Sequence, residues 1–123
     1  MIDNTLTVEV GIDSFELIKI NEGNYSSEFL VKGPLSSLRM KIRHSKEKPS
    51  PDGIAYDRHN VELTQFTYPT EIDPKGTTAQ AYMVVRANPN NDGFDAKQVA
   101  RALSAFLANE TPDVLSQVIN WES

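Results

Sequence analysis

The chain has 123 residues, no cysteine and a net charge of −5 at pH 7. Its length predicts one domain, residues 1–123, and its hydrophobic content of 39% suffices for a folded core. The lack of cysteine excludes disulfides, thiolate catalysis and cysteine-based metal sites. The absence of cysteine also fits synthesis in a reducing cytoplasm. No apolar run could span a membrane, and the N-terminus lacks the regions of a signal peptide.

The first part of the chain shows the period-two alternation of β-strands. Leu6, Val8 and Val10, for example, share one face of an N-terminal strand that Gly11 and Asp13 separate from the next. The pattern indicates roughly seven strands, of which six can be placed, and the first two form a hairpin. The placed strands are 5–10, 14–20, 25–32, 37–45, 54–67 and 80–87, with a turn at 21–24 and polar loops at 44–53 and 68–78.

The period changes to that of α-helices after residues 88–93. Two helices are predicted, 94–109 and 112–120, with Trp121 as a core or interface anchor. The proposed caps and first-turn residues are Asn91 or Asp92 with Asp95 for the first helix, and Thr111, Pro112 and Asp113 for the second. Strands followed by helices predict an α+β fold, with helices on one face of an antiparallel sheet. Because two short helices cannot cover a long sheet, we expect a homodimer.

The strand at 37–45 is the most informative segment. Arg39, Lys41 and Arg43 alternate with apolar residues, so that one face carries three like charges. Residues 32–58 contain seven basic and three acidic residues, although the whole chain is acidic. Like charges on neighbouring positions repel, and this concentration therefore favours an anionic partner.

Neighbouring strands extend this basic face. It would hold Arg39, Lys41, Arg43, Arg58, Asn60, Glu62, Tyr82 and Arg86. Basic side chains bind phosphates, a tyrosine ring stacks on an unpaired base, and Asn60 and Glu62 can bond to base edges. This mixture favours single-stranded RNA. The alternative is a solvated sheet face whose charges maintain solubility.

The residues give weak support for catalysis, so we predict that the chain is not an enzyme and has no cofactor or metal. His44 and His59 are the only histidines, and a nuclease using either remains an alternative. His59 has the parity of the apolar residues of its strand, which predicts a partly buried residue facing away from Glu62. Glu71 and Asp73 could bind a hard cation, or belong to a solvated loop.

Four segments together resemble the levivirus-type coat proteins of single-stranded RNA bacteriophages. They are LRMKIRH at 38–44, RHNVEL at 58–63, AYMVVR at 81–86, and the tail from Ala102 that ends in INWES. None is a specific motif alone, but their order and spacing match across nearly the whole chain.

The resemblance implies an N-terminal hairpin, an antiparallel meander sheet and two C-terminal helices that interlock with a partner subunit. Dimers would assemble into a quasi-equivalent icosahedral shell in the bacterial cytoplasm and form the virion. The sheet face opposite the helices would bind and package viral RNA, and would repress replicase translation through a hairpin. The loop 68–78 would lie near the five- and threefold axes.

The resemblance also implies roles for individual residues. Tyr82 matches the tyrosine that stacks on a base, and Arg43 matches a basic position of the RNA face. Asn60 stands where lysine is usual, and Val84 where an RNA-binding asparagine is usual, which counts against the familiar hairpin recognition. A non-assembling dimeric RNA-binding regulator is the alternative function.

Overall fold

The computed structural model describes residues 2–90 and 94–122. Six strands form one sheet in the order β1-β2-β3-β4-β5-β6, so each strand lies beside the next in sequence. The elements are β1 (Thr5–Val10), β2 (Asp13–Gly23), β3 (Ser26–Lys32), β4 (Ser36–Lys46), β5 (Asp57–Thr67), β6 (Thr77–Ala87), α1 (Phe94–Leu107) and α2 (Val114–Ile119). This arrangement confirms the α+β prediction, with an N-terminal hairpin, a meander sheet and two C-terminal helices.

The chain divides into two compact units. The first contains the residues up to Lys46 together with Arg58–Val84, and therefore most of the sheet. The second contains Glu47–Asp57 and the chain from Val85 onward, which includes both helices. The organisation of residues 1–123 as a single domain stays a prediction.

The core of the first unit lies on one face of β2, β3 and β4. Leu17, Phe29, Leu38 and Ile42 are buried there. The register explains the cluster, because Phe29 lies opposite Met40 and therefore shares a face with the apolar residues of β4. Burial of each large side chain contributes about 1.5–3 kcal/mol. The alternation of β4 thus buries its apolar residues and leaves Arg39 and Arg43 exposed, as predicted.

All strands except β1 are longer or shorter than the sequence pattern predicts, and no seventh strand exists among the described residues. The predicted turn at 21–24 is wrong, because β2 continues to Gly23 through an irregularity between Lys19 and Asn21. A bulge of this kind lets a strand continue with an altered register. The turn instead lies at Asn24–Tyr25, where Tyr25 has a φ of 63°.

Hydrogen bonds in the loop before β5 delay the start of that strand to Asp57. The Ser50 amide donates to the Ile54 carbonyl at 2.9 Å, and the Ile54 amide donates to Asp52 Oδ1 at 3.2 Å. The hydrogen bond from the Ser50 hydroxyl, and then that from the Ile54 amide, lowers the pKa of Asp52. This turn occupies residues that the alternation had placed at the beginning of the strand.

The loop between β5 and β6 is held by its own hydrogen bonds. The Asp73 amide donates to Thr70 Oγ1 at 3.0 Å, and Thr77 Oγ1 donates to Asp73 Oδ2 at 2.8 Å. Gly76 has a φ of +74°, and a Cβ there would lie 2.6 Å from the Thr67 carbonyl oxygen. Within the described ranges no three acidic, histidine or cysteine residues cluster as metal ligands. Asp73 itself is bonded within the loop.

Helix α1 begins at Phe94 with Asp95 in its first turn, as predicted. A carboxylate near a helix N-terminus stabilises the helix through its dipole. The predicted caps Asn91 and Asp92 lie outside the described residues. The helix ends at Leu107, two residues earlier than the sequence pattern predicts.

Helix α2 begins later than predicted, and Thr111 is not its cap. Asp113 is the N-cap: its Oδ1 accepts from the Ser116 amide at 3.2 Å and its Oδ2 from the Ser116 hydroxyl at 2.7 Å. These bonds, that of the hydroxyl first, lower the pKa of Asp113. The carboxylate satisfies an amide that the helix leaves free, which fixes the first helical residue at Val114.

The apolar residues of the helices are mostly exposed. No described side chain of α1 is buried, and Val99 and Phe106 are 69% and 61% exposed. Only Val114 is buried in α2, while Ile119 remains exposed. Trp121 is 95% exposed and therefore does not lie in the core of the chain, while the alternative of an interface anchor stays a prediction. In the described part of the chain no helix is long and apolar enough to cross a membrane.

Candidate nucleic-acid interface

The face of the sheet opposite the core carries most of the predicted site; we call it the charged face. It consists of Arg39, Lys41, Arg43, Arg58, Asn60, Glu62, Tyr82 and Val84. Two hydrogen bonds show that β4, β5 and β6 contribute to one surface. Arg43 Nη2 donates to Glu62 Oε2 at 3.0 Å, and Gln80 Nε2 donates to Glu62 Oε1. Alternation then places Asn60 and Tyr82 on the same face.

Carboxylates partly neutralise the cations of β4. Arg39 forms an ion pair with Glu28 of β3, and Arg43 forms one with Glu62 of β5. Exposed pairs of this kind contribute about 0.2–1 kcal/mol each. Lys41 and Arg58 have no ion pair among the described residues. The four cations of the charged face therefore lie beside two carboxylates, Glu62 of that face and Glu28 of β3, and give a weaker positive field than the basic segment 32–58 suggests.

A cleft of about 420 Å³ opens at one end of the charged face. It is lined by Asn24, Tyr25, Ser26, Arg43, His44, Ser45, Arg58 and Asn60. The Asn60 Oδ1 atom is buried and accepts no hydrogen bond from the described residues. A buried carboxamide oxygen without a donor is costly, so a ligand amino group is a favourable partner. Two arginines beside it provide donors for phosphate.

Tyr82 presents its ring to solvent, with 68% of its surface exposed. An exposed ring on a cationic surface can stack on an unpaired base. Val84, two residues further along β6, is half-buried. Its aliphatic side chain offers no hydrogen bond, so it can contact a base only through apolar surface.

Arg86 belongs to the second unit and is paired there. Its Nε donates to Glu47 Oε2 at 2.8 Å and to Oε1 at 3.1 Å, and its Cζ lies 4.7 Å from the centre of the Tyr56 ring. The hydrogen bond and then the charge of Glu47 raise the pKa of Arg86 above its usual range. The sequence predicted Arg86 as an RNA contact; in the structure its guanidinium is bonded to Glu47, and its RNA contact stays a prediction.

The two histidines contact each other, which the sequence did not predict. His44 Nδ1 and His59 Nδ1 are 2.8 Å apart, and the rings meet edge to face at 5.0 Å. One nitrogen donates and the other accepts, and the tautomers of the two rings decide which does which. His59 is partly buried, as predicted.

Sequence reasoning missed Glu28, Gln80 and Tyr25. Glu28 could have been found from the alternation of β3, since it follows Ser26 on the face opposite Phe29. Its pairing with Arg39 depends on the register between strands, which alternation alone does not give. Tyr25 was assigned to a strand and instead lies in the turn, 78% exposed, at the cleft.

Comparisons with known proteins agree with this architecture. A likeness in fold is found to the Bacteriophage EMS014 coat protein, with a TM-score of 0.58, 14% identity, and coverage of 87% of this chain and 73% of that one. The Virus-like particle of Beihai levi-like virus 21 gives a TM-score of 0.63 and 15% identity, covering 97% of this chain and 94% of the other. Among curated proteins, none matches significantly.

A family model described as "Phage phiCb5, coat protein" matches residues 3–88, which include the whole sheet. Coat proteins are structural components of virions, so the prediction that the chain is not an enzyme is confirmed and the nuclease alternative is wrong. The match also confirms the resemblance to levivirus-type coat proteins. The chain therefore belongs to the phage phiCb5 coat protein family and is a capsid protein.

Proposed function

We propose that this coat protein forms homodimers which assemble into an icosahedral shell in the bacterial cytoplasm, and that its charged face packages single-stranded viral RNA. The observation that carries the RNA proposal is the combination on one face of unpaired Lys41 and Arg58, the exposed ring of Tyr82, and the buried acceptor of Asn60. Together these provide phosphate binding, base stacking and a contact to a base edge.

Phosphate contacts would supply most of the affinity. When Lys41 and Arg58 bind phosphates, counterions are released from the RNA, and this favours binding of any RNA sequence. Stacking on Tyr82 would add about 1–3 kcal/mol per base and tolerates every base. Because Val84 cannot donate a hydrogen bond, we assign to this face RNA packaging rather than hairpin-specific repression of replicase translation.

The exposed apolar residues of the helices support dimerisation. Val99, Leu103 and Phe106 lie on one side of α1 and are exposed in the single chain. A contiguous apolar surface of this kind marks a protein–protein interface. We therefore assign the helices to contact with a partner subunit, in the interlocked arrangement that the family resemblance implies.

Expression of the chain alone in bacteria tests assembly. Electron microscopy of the high-mass fraction should show uniform shells, and their ultraviolet absorbance should show enclosed RNA. A solution that contains only dimers over a range of salt and divalent-ion concentrations would contradict assembly. It would favour the non-assembling RNA-binding regulator.

The substitution Lys41→Ala tests the RNA interface. Loss of one phosphate contact should weaken RNA binding and reduce the slope of log K against log salt by about 0.7. Lys97→Ala on α1 removes the same charge outside the charged face and should change neither quantity. An unchanged slope for Lys41→Ala would remove Lys41 from the interface.

A further inference from the structure

The carboxylate of Glu62 is held at the centre of the charged face by two neighbouring strands. Its Oε2 accepts from Arg43 of β4 at 3.0 Å, and its Oε1 accepts from Gln80 of β6. Gln80 also donates to Thr64 Oγ1 at 3.3 Å. The Glu62 side chain is only 17% exposed, whereas that of Arg43 is 55% exposed. Glu62 is thus a fixed negative charge beneath an accessible guanidinium.

This arrangement has a consequence for RNA binding, the function proposed above, on which the inference rests. A phosphate that approaches Arg43 meets a guanidinium already bonded to a carboxylate. We propose that Glu62 is an affinity-limiting residue of the charged face: it competes with RNA phosphate for Arg43 and thereby sets an upper limit on RNA affinity.

The contacts favour competition over a positioning role. A carboxylate that orients an arginine for phosphate commonly forms two parallel hydrogen bonds, which fix the plane of the guanidinium. Glu62 contacts Arg43 through one oxygen only, and Gln80 holds the other oxygen. Gln80 restrains the carboxylate independently of Arg43, so the negative charge stays on the face when a phosphate binds to Arg43. The carboxylate and the phosphate carry like charges and therefore repel each other.

The contribution of Glu62 can be measured with Glu62→Gln, which removes the charge and retains the size and the ability to accept hydrogen bonds. The probe is a fluorescently labelled, unstructured RNA oligonucleotide, titrated with protein at concentrations where light scattering detects no assembly. At about 50 mM salt the variant should bind about two- to fivefold more tightly than the wild type, and its salt slope should steepen by about 0.7. Glu62→Thr, suited to a strand, should show the same gain.

Two controls separate the local effect from net charge. Glu9→Gln removes the same charge on β1, the strand at the far edge of the sheet from β6, and should leave affinity unchanged. In the Arg43→Ala background, Glu62→Gln should give a clearly smaller gain, because only the direct repulsion between the carboxylate and RNA phosphate is then relieved.

The outcomes distinguish this inference from the proposed function. A wild-type protein that fails to bind the oligonucleotide would overturn RNA binding itself, and with it the role of Glu62. A wild-type protein that binds, with a Glu62→Gln variant of equal affinity, would overturn only the competition. A variant of lower affinity would overturn the competition and show that Glu62 positions Arg43. An equal gain in the Arg43→Ala background would also overturn it, because the effect of Glu62 would then not pass through Arg43.

Discussion

The two compact units differ in how much apolar surface each buries. In the first unit, Leu17, Phe29, Leu38 and Ile42 form a buried cluster within one sheet. In the described part of the second unit, Val114 is the only buried hydrophobic residue. The sheet therefore holds its core through contacts within one chain, whereas the apolar stripes of the helices are mostly exposed in the single chain. Mutations in the two units should accordingly change different quantities.

Phe29→Ala should produce the largest loss of folding stability. Phe29 has no exposed surface, and truncation of such a side chain leaves a cavity that costs about 3–5 kcal/mol. Urea unfolding should show this loss as a lower midpoint. Ile12→Ala, in the exposed turn after β1, should stay within about 0.5 kcal/mol of the wild type. Similar losses for both variants would show that the described core does not determine stability.

Leu103→Glu should break the dimer while the chain remains folded. Leu103 lies in the apolar stripe of α1, and loss of its burial against a partner would cost about 1.5–3 kcal/mol, or roughly 10- to 100-fold in the dimer dissociation constant. Analytical ultracentrifugation would measure it. Gln98→Glu adds the same charge on the other side of α1 and should dimerise normally. A dimer that survives Leu103→Glu would place the interface elsewhere.

Gly76→Ala in the first unit and Gly53→Ala in the second should lower the stability of the protein by different amounts. The two glycines have similar backbone angles, with φ values of +74° and +82°. A Cβ added at Gly53 would have no atom within 4 Å, so its substitution carries only the left-handed penalty of about 1 kcal/mol. At Gly76 the added Cβ also meets the Thr67 carbonyl oxygen at 2.6 Å, which should bring the loss to about 2–3 kcal/mol. Equal unfolding midpoints would show that the loop after β5 relaxes freely.

Alternation was sufficient to predict most of the sheet and both helices. Alternation shows which side of a strand or helix is buried, and a few neighbouring residues are enough to show it. In β4, for example, Leu38 and Ile42 are buried and Arg39 between them is exposed. Element ends were less predictable because single hydrogen bonds decide them. Asp113, for example, takes the capping position that Thr111 was expected to hold, since only Asp113 accepts both hydrogen bonds from Ser116.

The sequence predicted which residues of β4 share the charged face, but not which of them form ion pairs with neighbouring strands. The parity of β4 placed Arg39, Lys41 and Arg43 on one face. Whether each cation is free depends on the neighbouring strands, since Glu28 and Glu62 come from β3 and β5. Counting charge along the sequence cannot detect this neutralisation, because the partners are 11 and 19 residues away.

Substitution of Asp113, the N-cap of α2, should have the smallest effect on the free energy of unfolding, and the effect should depend on pH. Hydrogen bonds from Ser116 lower the folded-state pKa of Asp113 below its ordinary value of 3.8. The ionised carboxylate therefore stabilises the folded state fully above that value, and the stabilisation is lost as the pH falls through the lowered pKa. Asp113→Asn keeps a capping oxygen but cannot ionise.

The difference in unfolding free energy between wild type and Asp113→Asn should accordingly be constant from about pH 7 to 5 and shrink below about pH 4. Urea unfolding, followed by circular dichroism at each pH, would measure it. Asp3→Asn, ahead of β1, serves as the matched control, since its carboxylate accepts no hydrogen bond from a helix. A difference that does not change with pH would mean that the Asp113 carboxylate does not stabilise α2 through its charge, and that α2 is held by the burial of Val114 instead.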